Sequence, residues 1–252
     1  MNPFLLPSIP IPQRDSREML DDAGLSRQET ARSLSDVARI NGFMGATRPL
    51  YEAVLHTIEG AGLRSATVLD VGCGNGDFAR RLVRLSAERG LSIRVLALDI
   101  SALHLQIARA LTPHDAPIEY IEGDAFALPF PDAGVDFITS TLFVHHFRTD
   151  TLRLLFRECC RVARIGWAMN DCARDGMALA AFRVLRPYFA RSFATRYDGL
   201  ASVRRSYTPR EMAAIAAPIP GARVRSLFPY RLQIQWTPPP PTTSTSPSLA
   251  PV

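Results

Sequence analysis

Val68-Leu69-Asp70-Val71-Gly72-Cys73-Gly74-Asn75-Gly76-Asp77 is the stretch from which the fold is read. A short apolar run meets three alternating glycines, and a helical pattern over 77–89 follows at once. Glycines in such a turn permit a sharp reversal and let a ligand come close to the backbone. Open α/β sheets bind ligands outside the carboxyl ends of their strands, which is where this turn falls.

Outward from that turn the same unit recurs. Short apolar segments at 93–99, 118–121, 135–140 and 165–169 join 67–71 as expected strands, with helical patterns at 101–111 and 150–163 between them. Ser101 and Thr149 stand where N-caps of the last two helices belong. Strand–helix alternation predicts an α/β fold, a doubly wound and mostly parallel sheet with helices on both faces. The segments 222–228 and 231–236 alternate like an antiparallel pair, and Thr208-Pro209-Arg210-Glu211 opens a helix before them.

Upstream, residues 15–47 read as helical. Ser26 and Glu29 have capping-box spacing, and Leu34, Val37 and Ile40 follow at helical intervals. A second helix is expected from about Pro49 to Glu59. The expected organisation is a flexible start over 1–13, a helical cap over 14–48, a catalytic domain over 49–236 with a lid or insert at 170–200, and a disordered tail over 237–252. That tail, with Pro238–Pro241 at its head, has almost nothing to bury. In the insert, Ala178, Phe182, Leu185, Phe189 and Phe193 share an arc of about 80° at about 100° per residue, with Arg183, Arg186 and Arg191 outside it and Pro187 as a kink.

Composition narrows the class. The chain has 252 residues, 47% hydrophobic and 21% charged, long enough for a core without metal or disulfide support. Cys73, Cys159, Cys160 and Cys172 make no CxxC or His–Cys cluster, so neither a zinc site nor a disulfide framework is expected. The prolines near the start do not suit a secretory signal, and no apolar run reaches membrane-span length; a reducing, cytoplasmic setting is the expectation. All 29 basic residues are arginine. Residues 1–150 hold 14 of them against 19 acids, while residues 151–252 hold 15 against 5. A basic half admits nucleic acid, acidic lipid or an anionic substrate, or simply a solvated surface.

The acids near the glycine turn choose the ligand. A dinucleotide fingerprint would need glycine at 77, where this chain has aspartate, and an acid at a helix start repels a pyrophosphate. Asp70 and Asp77 flanking the turn suit a cationic ligand without phosphate, and S-adenosylmethionine carries a sulfonium and an ammonium. Asp99 ends the next strand, the usual place for a carboxylate that holds ribose hydroxyls. Gly123-Asp124-Ala125 follows the third and could read an adenine edge.

Together VLDVGCGNG (68–76), LALDIS (96–101), EGDAFALPFPDAGVDFITS (122–140) and LFVHHF (142–147) resemble the class I S-adenosylmethionine-dependent methyltransferases, of the group similar to the ubiquinone/menaquinone-biosynthesis enzymes. The resemblance covers about 45–236 and is specific for the cofactor, not the substrate. It implies a seven-stranded sheet with the last strand antiparallel. It further implies that Gly72, Gly74 and Gly76 frame the methionine part of S-adenosylmethionine, with Asp70 near its amino group. Asp99 with Ile100 would then sit at the ribose, and Asp124 with Ala125 at the adenine.

Methyl transfer from a sulfonium asks the protein chiefly to position the acceptor and exclude water. An oxygen acceptor also needs a base, and imidazole is within reach of a phenol of pKa about 10. His145 and His146, just past the fourth principal strand, are the candidates, with one expected to face the site; His56, His104 and His114 read as structural. Asn170 and Asp171, after the fifth, could orient a hydroxyl or cap a loop. The leading expectation is O-methylation of a phenolic or polyketide-like natural product, an aromatic or lipophilic small molecule. Carbon methylation of a quinone precursor is the alternative. Methylation of nucleic acid is disfavoured because Thr141-Leu142-Phe143 replaces the Asn/Asp-Pro-Pro-aromatic run of amino-group enzymes, and no Pro-Cys nucleophile is present. A cofactor binder without catalysis is the third class. The insert could lie over the acceptor and graze a membrane surface.

Overall fold

In the computed structural model, which describes residues 8–21 and 24–239, β1 (Ser65–Val71) lies at the middle of a seven-stranded sheet. The other strands are β2 (Ser92–Asp99), β3 (Ile118–Glu122), β4 (Val135–Thr141), β5 (Ala163–Cys172), β6 (Ala222–Leu227) and β7 (Arg231–Trp236). Their order is β3-β2-β1-β4-β5-β7-β6. Pairings from β3 through β5 are parallel, and β7 runs antiparallel to both β5 and β6. The order reverses between β1 and β4, so the glycine turn stands at the topological switch point where α/β sheets bind ligands.

Two apolar layers explain the near-continuous hydrophobic strands. Along β1, Val68 faces the layer built on α2 (Arg48–Gly60) and α3 (Asp77–Glu88), with Leu50, Val54, Leu55 and Leu82. Leu69 and Val71 face the opposite layer, formed with α5 (Thr149–Val162) and α8 (Pro209–Ala216). There Trp167 stacks on Phe156 at 5.1 Å and lies 6.4 Å from Trp236. α4 (Ala102–Ala110) starts from Ser101, whose hydroxyl accepts from the His104 amide, as expected. Thr149 does not cap α5; it is the first helical residue, Arg148 holds the cap position and no side chain bonds there. The capping box of Thr208 and Glu211 is complete.

The helical cap departs further from its pattern. Instead of one helix over 15–47, a 3-10 turn (Met19–Asp21) precedes α1 (Arg27–Phe43). Ser26 accepts from the Glu29 amide, but Glu29 does not reach back. Its carboxylate is buried and accepts from Ser192 Oγ at 2.6 Å and from the amides of Phe193 and Ala194, the open N-terminus of α7 (Phe193–Arg205). Asp36 accepts from the amides of Arg191 and Ser192, and Asp198 from those of Met19 and Leu20. The insert is two helices, α6 (Gly176–Phe189) and α7; Pro187 does not kink a continuous helix but sits two residues before α6 ends. Residues 1–7 of the flexible start expected over 1–13, and most of the Pro-rich tail, 240–252, lie outside the described residues. Among the described residues no helix is long and apolar enough to cross a membrane.

Candidate active site

β1, β2 and β3 are neighbours, so the turns after them line one edge. The glycine turn is pinned by the amides of Gly72 and Cys73, both donating to Leu98 O. Gly72, Gly74 and Gly76 have φ of 70°, 55° and 72°, a region that disfavours side chains. A Cβ on Gly72 would stand 2.5 Å from the Phe143 ring, and one on Gly76 2.2 Å from Tyr120 Oη. Asp77 pairs with Arg81 at 3.1 Å, so of the two flanking acids only Asp70 keeps an unspent carboxylate.

Asp70 is fully buried. Its Oδ1 accepts from Thr139 Oγ1 at 3.1 Å, while Oδ2 is buried with no partner. Burial, with the nearby charge of Asp99 adding, pushes its pKa up to about 7. A buried carboxylate oxygen without a donor is costly, and a cationic group beside it would repay that cost. This is the feature of the edge that fits an ammonium-bearing ligand.

Asp99 accepts from the Gly74 amide on Oδ2 and the Ser101 amide on Oδ1, each at 2.9 Å. His104 Nδ1 lies 3.4 Å from it, so that histidine borders the site. Both oxygens retain accepting capacity for further donors. Ile100 beside it is 74% exposed, an apolar platform at the edge. Asp124 is exposed and accepts from the Phe126 amide at 2.9 Å, and Ala125 is buried.

After β4 the chain turns at Leu142, whose φ is 54° and whose amide donates to Asn170 O. A 3-10 turn (Val144–His146) carries the histidines. Phe143 touches Gly72 and lies 6.4 Å, ring to ring, from His146, which places the pair beside the glycine turn. The rings of His145 and His146 lie 4.3 Å apart, and both lean on Glu18 rather than diverging as expected.

The two histidines are chemically unequal. His145 is buried, with Nδ1 2.7 Å from Asp171 Oδ1 and Nε2 3.1 Å from Glu18 Oε1. Burial alone would drive its proton off, but Asp171 and Glu18 outweigh it and hold the pKa up to about 10. The same pairing lowers both carboxylates against the rise that burial would cause. His145 is thus an imidazolium with both N–H groups spent, and it has no lone pair to serve as a base. His146 is partly exposed, with Nε2 3.9 Å from Glu18 Oε2. Glu18, His145 and His146 present ligand atoms within 4.8 Å of one another, a spacing that could accept a cation. His145 holds a proton where such a metal would sit.

Asn170 and Asp171 lie within the end of β5 rather than after it. Asn170 Nδ2 donates to Ala46 O at 2.8 Å and so ties the cap to the sheet; its Oδ1 is buried without a partner. Asp171 is occupied by His145 and by the amides of His145 and Cys172. Glu18 had no signal in the sequence: it meets His145 across 127 positions, from a segment with no local pattern to single it out.

The methyltransferase-domain family matches residues 68–166. A demethylmenaquinone methyltransferase of Bacillus licheniformis is 32% identical over 143 residues, covering 53% of this chain and 59% of that protein. A ubiquinone/menaquinone biosynthesis C-methyltransferase of Hahella chejuensis is 37% identical over 114 residues, 44% of each. A malonyl-[acyl-carrier protein] O-methyltransferase of Methylococcus capsulatus is 32% identical over 161 residues, 62% of this chain and 56% of that one. The chain therefore spans less than two thirds of the length of these curated relatives. Among solved structures, a putative S-adenosylmethionine-dependent methyltransferase of Methanococcus maripaludis superposes with a TM-score of 0.56 at 17% identity, over 86% of this chain and 96% of that one. Human N-acetylserotonin methyltransferase does so with a TM-score of 0.57 at 14% identity, over 84% and 56%. These likenesses carry the fold.

Proposed function

We infer that this chain, whose residues 68–166 are a methyltransferase domain within the class I S-adenosylmethionine-dependent fold, methylates a small lipophilic acceptor, most simply the hydroxyl of a phenolic or polyketide-like compound. The observation that carries the reading is the buried, unpartnered Oδ2 of Asp70 at the lip of three positive-φ glycines, one residue contact from His146 through Phe143.

When bound, S-adenosylmethionine would supply an electrophilic methyl group on a sulfonium whose leaving group is a neutral thioether. Asp70 balances the ligand's ammonium, and that positive charge holds the carboxyl ionised despite its burial. Gly72, Gly74 and Gly76 would let backbone approach the ligand, Asp99 with Ile100 alongside would hold its ribose hydroxyls, and Asp124 with Ala125 would meet the adenine. His146 takes the acceptor's hydroxyl proton on Nε2, and Glu18 steadies the resulting imidazolium. Moving that proton from a phenol to an imidazole costs about 5 kcal/mol at the ordinary pKa values, which is small beside an enzymatic barrier. His145 and Asp171 position this loop and do not exchange protons in turnover.

The names of the relatives favour a second reading, carbon methylation of a quinone precursor. It needs the same phenolate, formed by the same base, and differs in which atom of the acceptor attacks. Purified protein with methyl-labelled S-adenosylmethionine, offered phenolic and hydroxyquinone acceptors, tests both; NMR of the product tells oxygen from carbon. His146→Ala should lower kcat by about 100-fold or more with cofactor affinity unchanged. Undiminished turnover would reject His146 as the base, and label entering only RNA would reject the acceptor class.

A further inference from the structure

α6, α7 and the segment at residue 16 border a cavity of about 450 Å³, a volume in the range of small-molecule sites. α7 stands between this cavity and the histidine network. Ser202, on one side of the helix, donates to Glu18. Phe193, Arg196, Tyr197, Leu200 and Arg204 line the cavity, and at about 100° per residue they share an arc of about 100° on the opposite side.

The lining carries three arginines and no carboxylate. Arg186 reaches across from α6, its Nη1 donating to Arg196 O at 3.0 Å, which holds its guanidinium against α7. Arg196 Nε donates to Ala190 O at 2.8 Å. Both bonds go to backbone carbonyls, so they leave the charges uncompensated and most of the N–H donors unspent. Among the described residues no carboxylate pairs with Arg186, Arg196 or Arg204. The acid of α7, Asp198, is buried on the far side of the helix, where it accepts from the Met19 and Leu20 amides. Beside the charges, Phe193 and Tyr197 stand one turn apart, 56% and 53% exposed, over the buried side chain of Leu200. Ser16 closes the remaining side, and its buried hydroxyl has no partner.

We propose that this cavity is a binding site for a small aromatic phosphate monoester, the phosphate held among Arg186, Arg196 and Arg204 and the ring laid against Phe193 and Tyr197. Three cations without counter-ions match a dianion better than the single charge of a carboxylate, and the guanidinium fork fits phosphate oxygens in pairs. A free phosphate ion would leave the two exposed rings of the lining unused, whereas an aromatic group stacks on them and covers them from water. The size of the cavity fixes the scale of the ligand as a small molecule. The site lies across α7 from Glu18 and the histidines, so the inference stands independently of the methyl-transfer reading.

NMR titration of the full chain with phenyl phosphate, inorganic phosphate and phenol tests it. Phenyl phosphate should bind roughly tenfold or more tightly than either of the others, because only it engages both the charges and the rings. Added S-adenosylhomocysteine should leave that affinity unchanged. Arg204→Gln should weaken phenyl phosphate by about tenfold or more, through the loss of hydrogen bonds to a charged group, and Arg204→Lys should restore only part of it because the fork is gone. Phe193→Ser with Tyr197→Ser should bring phenyl phosphate down to the affinity of inorganic phosphate. Urea unfolding checks that each variant is folded, and Arg196→Gln, at an exposed position, repeats the charge test if Arg204→Gln is not. No binding of phenyl phosphate overturns the proposal. So do equal affinities for phenyl phosphate and inorganic phosphate, displacement by S-adenosylhomocysteine, or binding that the folded arginine variants retain in full.

Discussion

Replacing Glu18 by glutamine removes one of the two carboxylates that hold the His145 proton and leaves the other, Asp171, at 2.7 Å. The folded pKa of His145, about 10, lies above the ordinary imidazole value near 6.5. The stability it contributes is therefore complete below about pH 6.5 and drains away as pH climbs toward 10, by up to about 1.4 kcal/mol per pH unit. Asp171 and Glu18 are shifted the other way, so their contribution is present above about pH 4.5 and is lost as the solution is acidified. An opposite charge at contact distance moves a pKa by about 1–3 units, so Glu18→Gln should bring the His145 midpoint down by about 1–2 units. That corresponds to about 1.5–3 kcal/mol of unfolding free energy at neutral pH. The assay is a pair of titrations: imidazole Cε1–H shifts by NMR from pH 5 to 11, and urea unfolding across the same range. Wild type should show one histidine titrating far above the others, and the variant should show it lower and lose stability at a lower pH. A His145 that titrates near 6.5 in the wild-type protein, or a variant with unchanged midpoint and unchanged stability, would refute the buried ion triad.

Three further outcomes are expected. Asp99→Ala should weaken S-adenosylmethionine binding by about 10–100-fold in calorimetry, the worth of hydrogen bonds to a charged group; wild-type affinity would contradict the ribose role. Gly72→Ala places a methyl group at φ 70° and 2.5 Å from Phe143, so both cofactor affinity and thermal stability should fall, and a variant matching wild type in both would show that the turn relaxes freely. Trp167→Ala empties the stack between Phe156 and Trp236 and should cost about 3–5 kcal/mol in urea unfolding, with a loss under 1 kcal/mol excluding the packing described.

The parts legible in the sequence were those written in local code. The strand–glycine–helix turn, the Ser101 cap and the Thr208–Glu211 box each lie within a few residues, and local backbone geometry with a side chain bonding a nearby amide enforces them. Thr149 shows the limit of that code, because a good cap residue was drawn into the first turn of its helix and Arg148 took the boundary. Glu29 shows it more clearly. Its spacing from Ser26 fits a capping box, yet its carboxylate serves the start of α7, 163 positions away, where open amides offer more than its own helix does. The histidine pair was visible as a motif, but the division of labour within it was not, since the partner that distinguishes the two rings is Glu18.

The uneven charge along the chain follows from the same long-range contacts. Its acidic first half faces a strongly basic second half, and simple neutralisation would predict arginine–carboxylate pairs between them. The cap is built otherwise. Glu29 and Asp36 accept from backbone amides and a hydroxyl of the segment leading into α7, and Asp36 meets a guanidinium only on Arg39 of its own helix. Glu18 accepts from Ser202 and from the imidazole of His145. Buried carboxylates of this kind need donors close at hand, and helix-start amides supply them without the desolvation cost of bringing in a second charge. The consequence is that the acids closing the cap leave Arg183, Arg186, Arg196 and Arg204 without a carboxylate partner among the described residues. Part of the excess positive charge read from the second half is then held on the outer face of α7, where Arg196 and Arg204 flank Phe193 and Tyr197.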